Sequence, residues 1–155
     1  MTDNRLILSN FLPYVLSVVS NEISQKIAYQ YQEKFGIDMP QWRVMAILGE
    51  ESGLSAREVA NRTAMDKVAV SRAVKKLMEN NLLTREVAAD DKRRSILDLT
   101  IKGKETYQQI VPIAQLYEQC LIEQLSNDEL SQIHQLLSKL RKANQDISNC
   151  SILET

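Results

Sequence analysis

The order of apolar and polar residues along the chain predicts a protein built mostly from helices. A first helix carries an apolar residue every three or four positions and ends near Gly36. Its apolar stripe consists of Leu16, Val19, Ile23, Ile27 and Tyr31. Asp38 and Gln41 have the spacing of a capping box, so a second helix is expected to run through WRVMAILGEE. Only four glycines and three prolines occur, which favours long helices with short connections.

Two short helices are predicted in the middle of the chain. Ser55 and Glu58 form another capping-box pattern, which indicates a helix over residues 56–63. A tight turn at Thr63-Ala64-Met65 leads into a fourth helix that begins near Asp66. The face of this helix that is expected to be buried carries Val70, Ala73, Val74 and Leu77. Two short helices joined by such a turn are typical of a helix-turn-helix.

After Asn80-Asn81 the pattern changes to two β-favouring stretches, LLTREVA and SILDLT, separated by the polar ADDKRR. These stretches predict a hairpin with a charged tip. Two long helices are expected beyond Gly103, the first kinked by Pro112 and the second opened by a capping box at Ser126 and Glu129. The stripe of the first is Tyr107, Ile110, Val111, Ala114, Tyr117 and Leu121. The predicted fold class is mainly α with a small β-hairpin wing, with a winged helix-turn-helix over 37–103 and a helical region over 1–36 and 104–150.

The distribution of charge along the chain says more about function than the net charge of −1 does. Residues 55–95 contain ten Lys and Arg against six Asp and Glu, so this segment carries +4 and the remainder −5. A basic middle flanked by acidic ends suits one DNA-facing element on an otherwise repelling body.

The outer face of the fourth helix has the residue types that read DNA in the major groove. Arg72 could donate to guanine, Ser71 to a base or a phosphate, and Lys75 to a phosphate, while Val68 could touch a thymine methyl group. For an isolated basic helix, a solvated surface is the commoner explanation. The hairpin that follows favours DNA binding, because an arginine at its tip could enter the minor groove. The tip carries Asp90, Asp91, Lys92, Arg93 and Arg94.

Two motifs make the chain similar to the MarR family of bacterial regulators. Asp91-Lys92-Arg93 matches the D-x-R motif of that family's wing, and Leu99-Thr100 with Gly103 matches its L-T-x-x-G motif. The resemblance covers most of the chain, including PQWRVMAIL, SAREVA and MDKVAVSRAVKKLMENNLL. It implies a homodimer whose terminal helices interlock above a pseudo-palindromic double-stranded DNA operator, with Arg93 reading the minor groove. The predicted DNA-contacting residues are Ser55, Lys67, Val68, Ser71, Arg72, Lys75, Asp91, Lys92, Arg93 and Arg94.

The resemblance also implies a small ligand, often aromatic and anionic, bound where the dimer helices meet the winged domain, and repression that the ligand relieves. Tyr14, Trp42, Arg43 and Tyr107 are the predicted lining residues. For each aromatic residue the alternative is ordinary core packing. Arg43 lies beside a tryptophan and needs an acceptor, which is either an internal carboxylate or an anionic ligand.

Other classes of function have little support in the sequence. No nucleophile motif, glycine-rich phosphate loop or metal motif occurs, and His134 is the one histidine, so neither an enzyme nor a cofactor is expected. Cys120 and Cys150 are far apart and are expected to be free thiols, and the first helix lacks the cysteine of the family's peroxide sensors.

No apolar run reaches membrane-spanning length, so a cytoplasmic protein is expected. The remaining alternative is a winged-helix module that binds proteins, which the basic residues on both helix and hairpin disfavour.

Overall fold

The computed structural model describes residues 5–87 and 95–147, and these residues form the helices and the hairpin in the predicted order. The elements are a 3-10 helix (Leu8–Asn10), α1 (Leu12–Phe35), α2 (Met39–Glu50), α3 (Ala56–Thr63), α4 (Lys67–Glu79), β1 (Leu83–Val87), β2 (Ser95–Leu99), α5 (Ile101–Ile122) and α6 (Asn127–Ile147). Pro112 lies inside α5, which is helical on both sides of it. None of the described helices is both long and apolar enough to cross a membrane.

Local sequence signals explain where α1 ends and α2 begins. Gly36 adopts a left-handed conformation with φ 65°, and its backbone N–H donates to the carbonyl of Gln32 at 2.9 Å. The Asp38 carboxylate then accepts the backbone N–H of Gln41 at 2.9 Å, while the Gln41 side chain accepts the backbone N–H of Asp38 at 2.9 Å. The predicted capping box is therefore confirmed, and the two helices are joined by a very short connection.

The helix-turn-helix is formed by α3 and α4. The predicted range of α3 is confirmed, and the helix is capped at its C-terminal end by Ala64, whose φ of 53° is left-handed. Asp66 caps α4 by accepting the backbone N–H of Ala69 at 2.8 Å. Thr63 also closes the end of α3, since its hydroxyl donates to the carbonyl of Val59 at 2.8 Å.

The hairpin packs its inner face on the helices. β1 and β2 are antiparallel, with Leu83 opposite Leu99 and Arg85 opposite Leu97. Leu97 is fully buried, and its backbone N–H donates to the carbonyl of Leu54 at 2.7 Å, which forms an isolated bridge to the segment between α2 and α3. This bridge is absent from the sequence-based prediction, because Leu54 stands alone among turn residues.

The described chain contains two compact units, one ending at Ala114 and one beginning at Gln115. The first unit contains the hydrophobic core, whose largest fully buried side chains are Tyr31, Ile37, Met45, Leu77, Leu97 and Ile110. The second unit contains α6, in which no residue is buried. The expected division into a winged domain over 37–103 and a helical region at the two ends stays a prediction.

Candidate nucleic-acid interface

Helix α4, here called the recognition helix because the sequence predicts that it reads DNA, has a buried face and an exposed face that match the predicted ones. Val70, Ala73, Val74 and Leu77 are all buried. On the opposite side Ser71, Arg72 and Lys75 are exposed, and Val68 leaves 58% of its surface open to solvent. A large apolar side chain that is so exposed on a polar face is suited to contact with a base methyl group. The fold thus exposes these four residues of the predicted DNA-contacting set, and their contact with DNA stays a prediction.

Two of the four cationic residues on α4 are held by carboxylates. Lys76 Nζ lies 2.9 Å from Asp38 Oδ2, the same carboxylate that caps α2 through its other oxygen. Lys75 Nζ is 3.9 Å from Glu79 Oε1, one helical turn away. Among residues 5–87 and 95–147, Lys67 and Arg72 form no ion pair. The Lys76–Asp38 pair links the start of α2 to α4 at the surface.

Ser55 serves the local structure of α3. Its hydroxyl accepts the backbone N–H of Glu58 at 3.2 Å and donates to Glu58 Oε2 at 2.7 Å, and that oxygen also accepts the backbone N–H of Ser55 at 2.7 Å. The side chain is half-buried within this capping box. Ser55 therefore positions the first helix of the pair, and its contact with DNA stays a prediction.

The C-terminal end of α4 closes in a Schellman motif. Asn81 is left-handed with φ 57° and donates its backbone N–H to the carbonyl of Met78 at 3.0 Å. The backbone N–H of Leu82 donates to the carbonyl of Leu77 at 2.9 Å, and the buried Leu82 side chain completes the motif. The recognition helix thus ends in a closed turn that leads directly into β1.

The residues of the L-T-x-x-G motif fasten this turn to the start of α5. Thr100 donates its hydroxyl to the carbonyl of Asn81 at 2.7 Å and its backbone N–H to the carbonyl of Leu82 at 3.1 Å. The same hydroxyl accepts the backbone N–H of Gly103 at 2.9 Å. A Cβ atom on Gly103 would overlap the Leu82 carbonyl oxygen, so a glycine is required there. These contacts therefore join the start of α5 directly to the end of α4.

The predicted wing-tip contacts Asp91, Lys92, Arg93 and Arg94 lie outside the described residues, as does Asp90. The strand β1 adds an exposed cation that the sequence-based set of DNA contacts omitted. Arg85 lines one depression with Ser71 and Lys75 of α4. Alternate residues of a strand lie on the same face, so Leu83, Arg85 and Val87 share one face of β1. Because Leu83 on this face is buried, the sequence could have shown that Arg85 lies on the side of the strand that faces the helices.

The predicted ligand residues are only partly brought together. The Trp42 ring stacks on Tyr107, with centroids 5.8 Å apart and planes 23° from parallel, and its centroid is 5.6 Å from that of the buried Tyr31. Gly49 allows this packing, since a Cβ atom there would come within 2.5 Å of the Tyr107 ring. Tyr14 is in the first turn of α1, roughly 25 Å along the helix axis from Tyr31 at about 1.5 Å per residue. Within one chain, Tyr14 is therefore outside this aromatic cluster.

The electrostatic surroundings of Tyr31 place a cation near the same cluster. Burial raises the pKa of the Tyr31 hydroxyl to about 12, the nearby Arg43 guanidinium acts in the opposite direction, and the Asp38 carboxylate adds to the increase. Arg43 is half-buried, next to Trp42 in the sequence. Arg43 therefore lies near the hydroxyl group of Tyr31, and its pairing with an anionic ligand stays a prediction.

The described residues contain no group of three or more His, Cys, Asp or Glu arranged to hold a metal ion. His134 is exposed on α6, and Cys120 is an exposed free thiol, as predicted for Cys120. Cys150 lies outside the described residues.

Comparisons with known proteins agree with this geometry. A sequence model described as MarR family matches residues 35–94. An uncharacterized HTH-type transcriptional regulator of Staphylococcus aureus strain Mu50 is 30% identical over an alignment of 130 residues, and the alignment covers 78% of this chain and 88% of the relative.

Two crystal structures extend the comparison. A MarR/EmrR family transcriptional regulator from Acinetobacter sp. ADP1 has a TM-score of 0.85 and 30% sequence identity, with 91% of this chain and 99% of that chain covered. MepR of S. aureus, solved as a complex with DNA, has a TM-score of 0.76 and 28% identity, with 84% of this chain and 96% of that chain covered. The likeness extends well beyond the helix-turn-helix in each case.

Proposed function

Since this chain belongs to the MarR family of winged helix-turn-helix transcriptional regulators, we propose that it is a homodimeric repressor that a small ligand releases from its operator. The protein is a DNA-binding transcriptional regulator, not an enzyme. The observation that carries the proposal is that α4 exposes a polar and basic face while its opposite, apolar face is buried.

Recognition of the operator takes place through α4 in the major groove. Arg72 donates to a guanine, Ser71 to a base or a phosphate, and Lys67 and Lys75 neutralise phosphates. Arg93, which lies between β1 and β2 in the sequence, enters the minor groove, where the negative potential of a narrow groove attracts a guanidinium. The DNA complex of MepR, a relative of 28% identity, supports this mode of binding.

The homodimer is supported by apolar side chains that one chain leaves uncovered. On α1, Leu12 is 49% exposed and Val19 47%, whereas Tyr31 at the other end of the helix is buried. On α6, Leu136 is 57% exposed and Leu137 46%, and other large apolar side chains share this face. A second copy covers these faces, because an isolated helix with such an apolar stripe is costly to leave in water. Two copies also present two recognition helices, which suits a pseudo-palindromic operator.

The ligand binds beside the Trp42–Tyr107 stack and pairs its anionic group with Arg43. Tyr14 joins the site from the other subunit of the dimer, because within one chain it is far from the stack. Binding acts on DNA affinity through α5, which carries Tyr107 and is fastened at its start to the end of α4. A ligand that favours one position of α5 then favours one spacing of the two recognition helices.

Operator binding is tested by selecting genomic DNA fragments with the purified protein at two salt concentrations and sequencing the bound fragments. We expect a palindrome with half-sites about one helical turn apart. Arg72→Ala should lose the preference at one position of each half-site, whereas Lys75→Ala should weaken binding to all sequences equally. Fragments bound without any common sequence would contradict operator recognition.

Ligand binding is tested through the fluorescence of Trp42, the one tryptophan in the chain. Titration with benzoate, an aromatic carboxylate, should change the emission and lower operator affinity. Arg43→Gln should abolish both effects, whereas Lys34→Gln on α1 should retain them. An unchanged benzoate response in Arg43→Gln would exclude Arg43 as the anion partner. No response of the wild-type protein to benzoate would remove support for an aromatic carboxylate.

A further inference from the structure

A depression on the hairpin side of the recognition helix brings charged side chains from two elements together. Ser71, Lys75 and Glu79 line it from α4 and Arg85 lines it from β1, together with Val74 and Met78 of α4. Its volume is about 380 Å³, enough for a phosphate group with several waters. Arg85 is exposed, as are Ser71 and Lys75 on the helix.

The backbone that carries Arg85 is fixed relative to α4. β1 follows α4 through the Schellman turn, and Arg85 stands opposite the buried Leu97 in the hairpin register. The Leu97 backbone is itself bonded to Leu54, so the strand pair is anchored on both sides. A long side chain on such a support can reach a phosphate at a defined distance from the helix axis, which an arginine on a free loop cannot do.

We propose that Ser71, Lys75 and Arg85 form a phosphate-binding notch beside the recognition helix, and that Glu79 lowers the affinity of this notch for DNA. The inference rests on the proposed function and adds two residues, Arg85 and Glu79, to the DNA-binding surface. Two cations and a hydroxyl group supply charge-assisted donors to one phosphate. The Glu79 carboxylate lies 3.9 Å from Lys75 Nζ and competes with the phosphate for this cation.

The two added residues act in opposite directions, and both act without regard to base sequence. Loss of Arg85 removes one phosphate contact per subunit, which weakens binding to every duplex. Loss of the Glu79 charge frees Lys75 and removes a repulsion, which strengthens binding to every duplex. The carboxylate therefore limits nonspecific DNA binding, and the contacts of Arg72 set the sequence preference.

The test measures the affinity of the full-length protein for a selected operator duplex and for an unrelated duplex, each at several salt concentrations. Arg85→Ala should weaken both by about tenfold and reduce the slope of log affinity against log salt by about 0.9 for each subunit bound. Arg85→Lys should retain most of the slope, because it keeps the charge. Glu79→Gln should strengthen both by severalfold.

Matched controls separate the notch from general charge effects and from misfolding. Lys104→Ala removes a cation from the part of α5 beside Gly49, and Glu105→Gln removes an acidic charge from the same helix; both should leave affinity and slope unchanged. Circular dichroism and the melting temperature identify a variant that has failed to fold. Failure of the wild-type protein to bind either duplex would count against the proposed function itself. If the wild type binds, an Arg85→Ala protein with the wild-type slope, or one with altered sequence preference, would overturn the notch.

Discussion

The recognition helix α4 and the last helix α6 are both amphipathic, but they differ completely in how the structure covers their apolar faces. Leu77 on α4 is fully buried, whereas Leu137 on α6 is 46% exposed. Every apolar residue of the α4 stripe contacts other elements of the same chain, and no residue of α6 is buried. The apolar face of α4 is therefore covered within one chain, whereas no apolar residue of α6 is buried among the described residues.

This difference affects which process each leucine is expected to stabilise, the folding of one chain or the association of two chains. Burying a leucine side chain contributes about 1.5–3 kcal/mol. For Leu77 this contribution belongs to the folding of the single chain and is independent of protein concentration. For Leu137 the proposed homodimer predicts that the same contribution is gained on association, so that it depends on concentration.

The largest expected effect comes from truncating the two leucines in turn. Leu77→Ala should lower the free energy of unfolding by about 2–5 kcal/mol, because it leaves a cavity in a packed core. It should leave the dimer dissociation constant unchanged. Leu137→Ala should do the opposite, with little effect on the unfolding of one chain and a weaker dimer. Urea unfolding measures the first quantity and sedimentation equilibrium the second. A dimer dissociation constant that Leu137→Ala leaves unchanged would contradict the expected difference between α4 and α6.

High pH should destabilise the core of the first unit through Tyr31. The pKa of this hydroxyl is raised by burial to about 12 from an ordinary value of 10, so the neutral form favours the folded state. The contribution of Tyr31 is complete below pH 10 and is lost as the pH rises from about 10 to about 12, by about 2–3 kcal/mol for a shift of this size. Urea unfolding of Tyr31→Phe across this pH range should lack that component of the loss. A Tyr31→Phe protein with the wild-type pH dependence would show that the hydroxyl titrates normally.

Gly103→Ala tests the attachment of α5 to the recognition helix. Alanine normally stabilises a helix relative to glycine, but here the added Cβ meets the Leu82 carbonyl oxygen, so we expect a net loss of about 2 kcal/mol. Gly36→Ala is the control, since Gly36 has a positive φ but open space around it, and its cost should be about 1 kcal/mol. Thermal unfolding measures both. Equal losses would mean that the close approach at Gly103 relaxes without cost.

The smallest expected effect comes from two capping boxes of the same geometry in the two units. Ser55 and Ser126 each accept the backbone N–H of a glutamate three residues later at 3.2 Å. Ser55→Ala should lower the stability of the first unit by about 1 kcal/mol. Ser126→Ala should mainly fray the first turn of α6, which hydrogen exchange detects. If Ser126→Ala lowered the free energy of unfolding of the whole chain at low protein concentration, α6 would contribute to folding without the proposed partner subunit.

The capping box of α6 also predicts a response to acid. Hydrogen bonds from the backbone and the side chain of Ser126 hold the pKa of Glu129 below its ordinary value. The contribution of the carboxylate is therefore present at neutral pH and is lost as the pH falls through that lowered pKa. Hydrogen exchange at the start of α6 should increase in acid, and Glu129→Gln should reduce this dependence. Equal pH dependence in the wild type and the variant would contradict it.

Local patterns were enough to predict much of the fold. The range of α3, the buried face of α4 and the capping boxes at Asp38, Ser55 and Ser126 are all confirmed. Each depends on residues within one or two helical turns, so the signal and the structure lie in the same short segment. Membership of the MarR family was likewise visible in the motifs around the hairpin.

The contacts that join distant segments were decided by the tertiary structure. The sequence does not show that Arg85 lies beside Ser71 and Lys75, because the register of a hairpin against a helix depends on packing across the whole unit. Nor does it show that Trp42 stacks on Tyr107, or that Thr100 holds the end of α4. A residue pattern specifies which face of an element is apolar, but only the packed chain determines which other element that face meets.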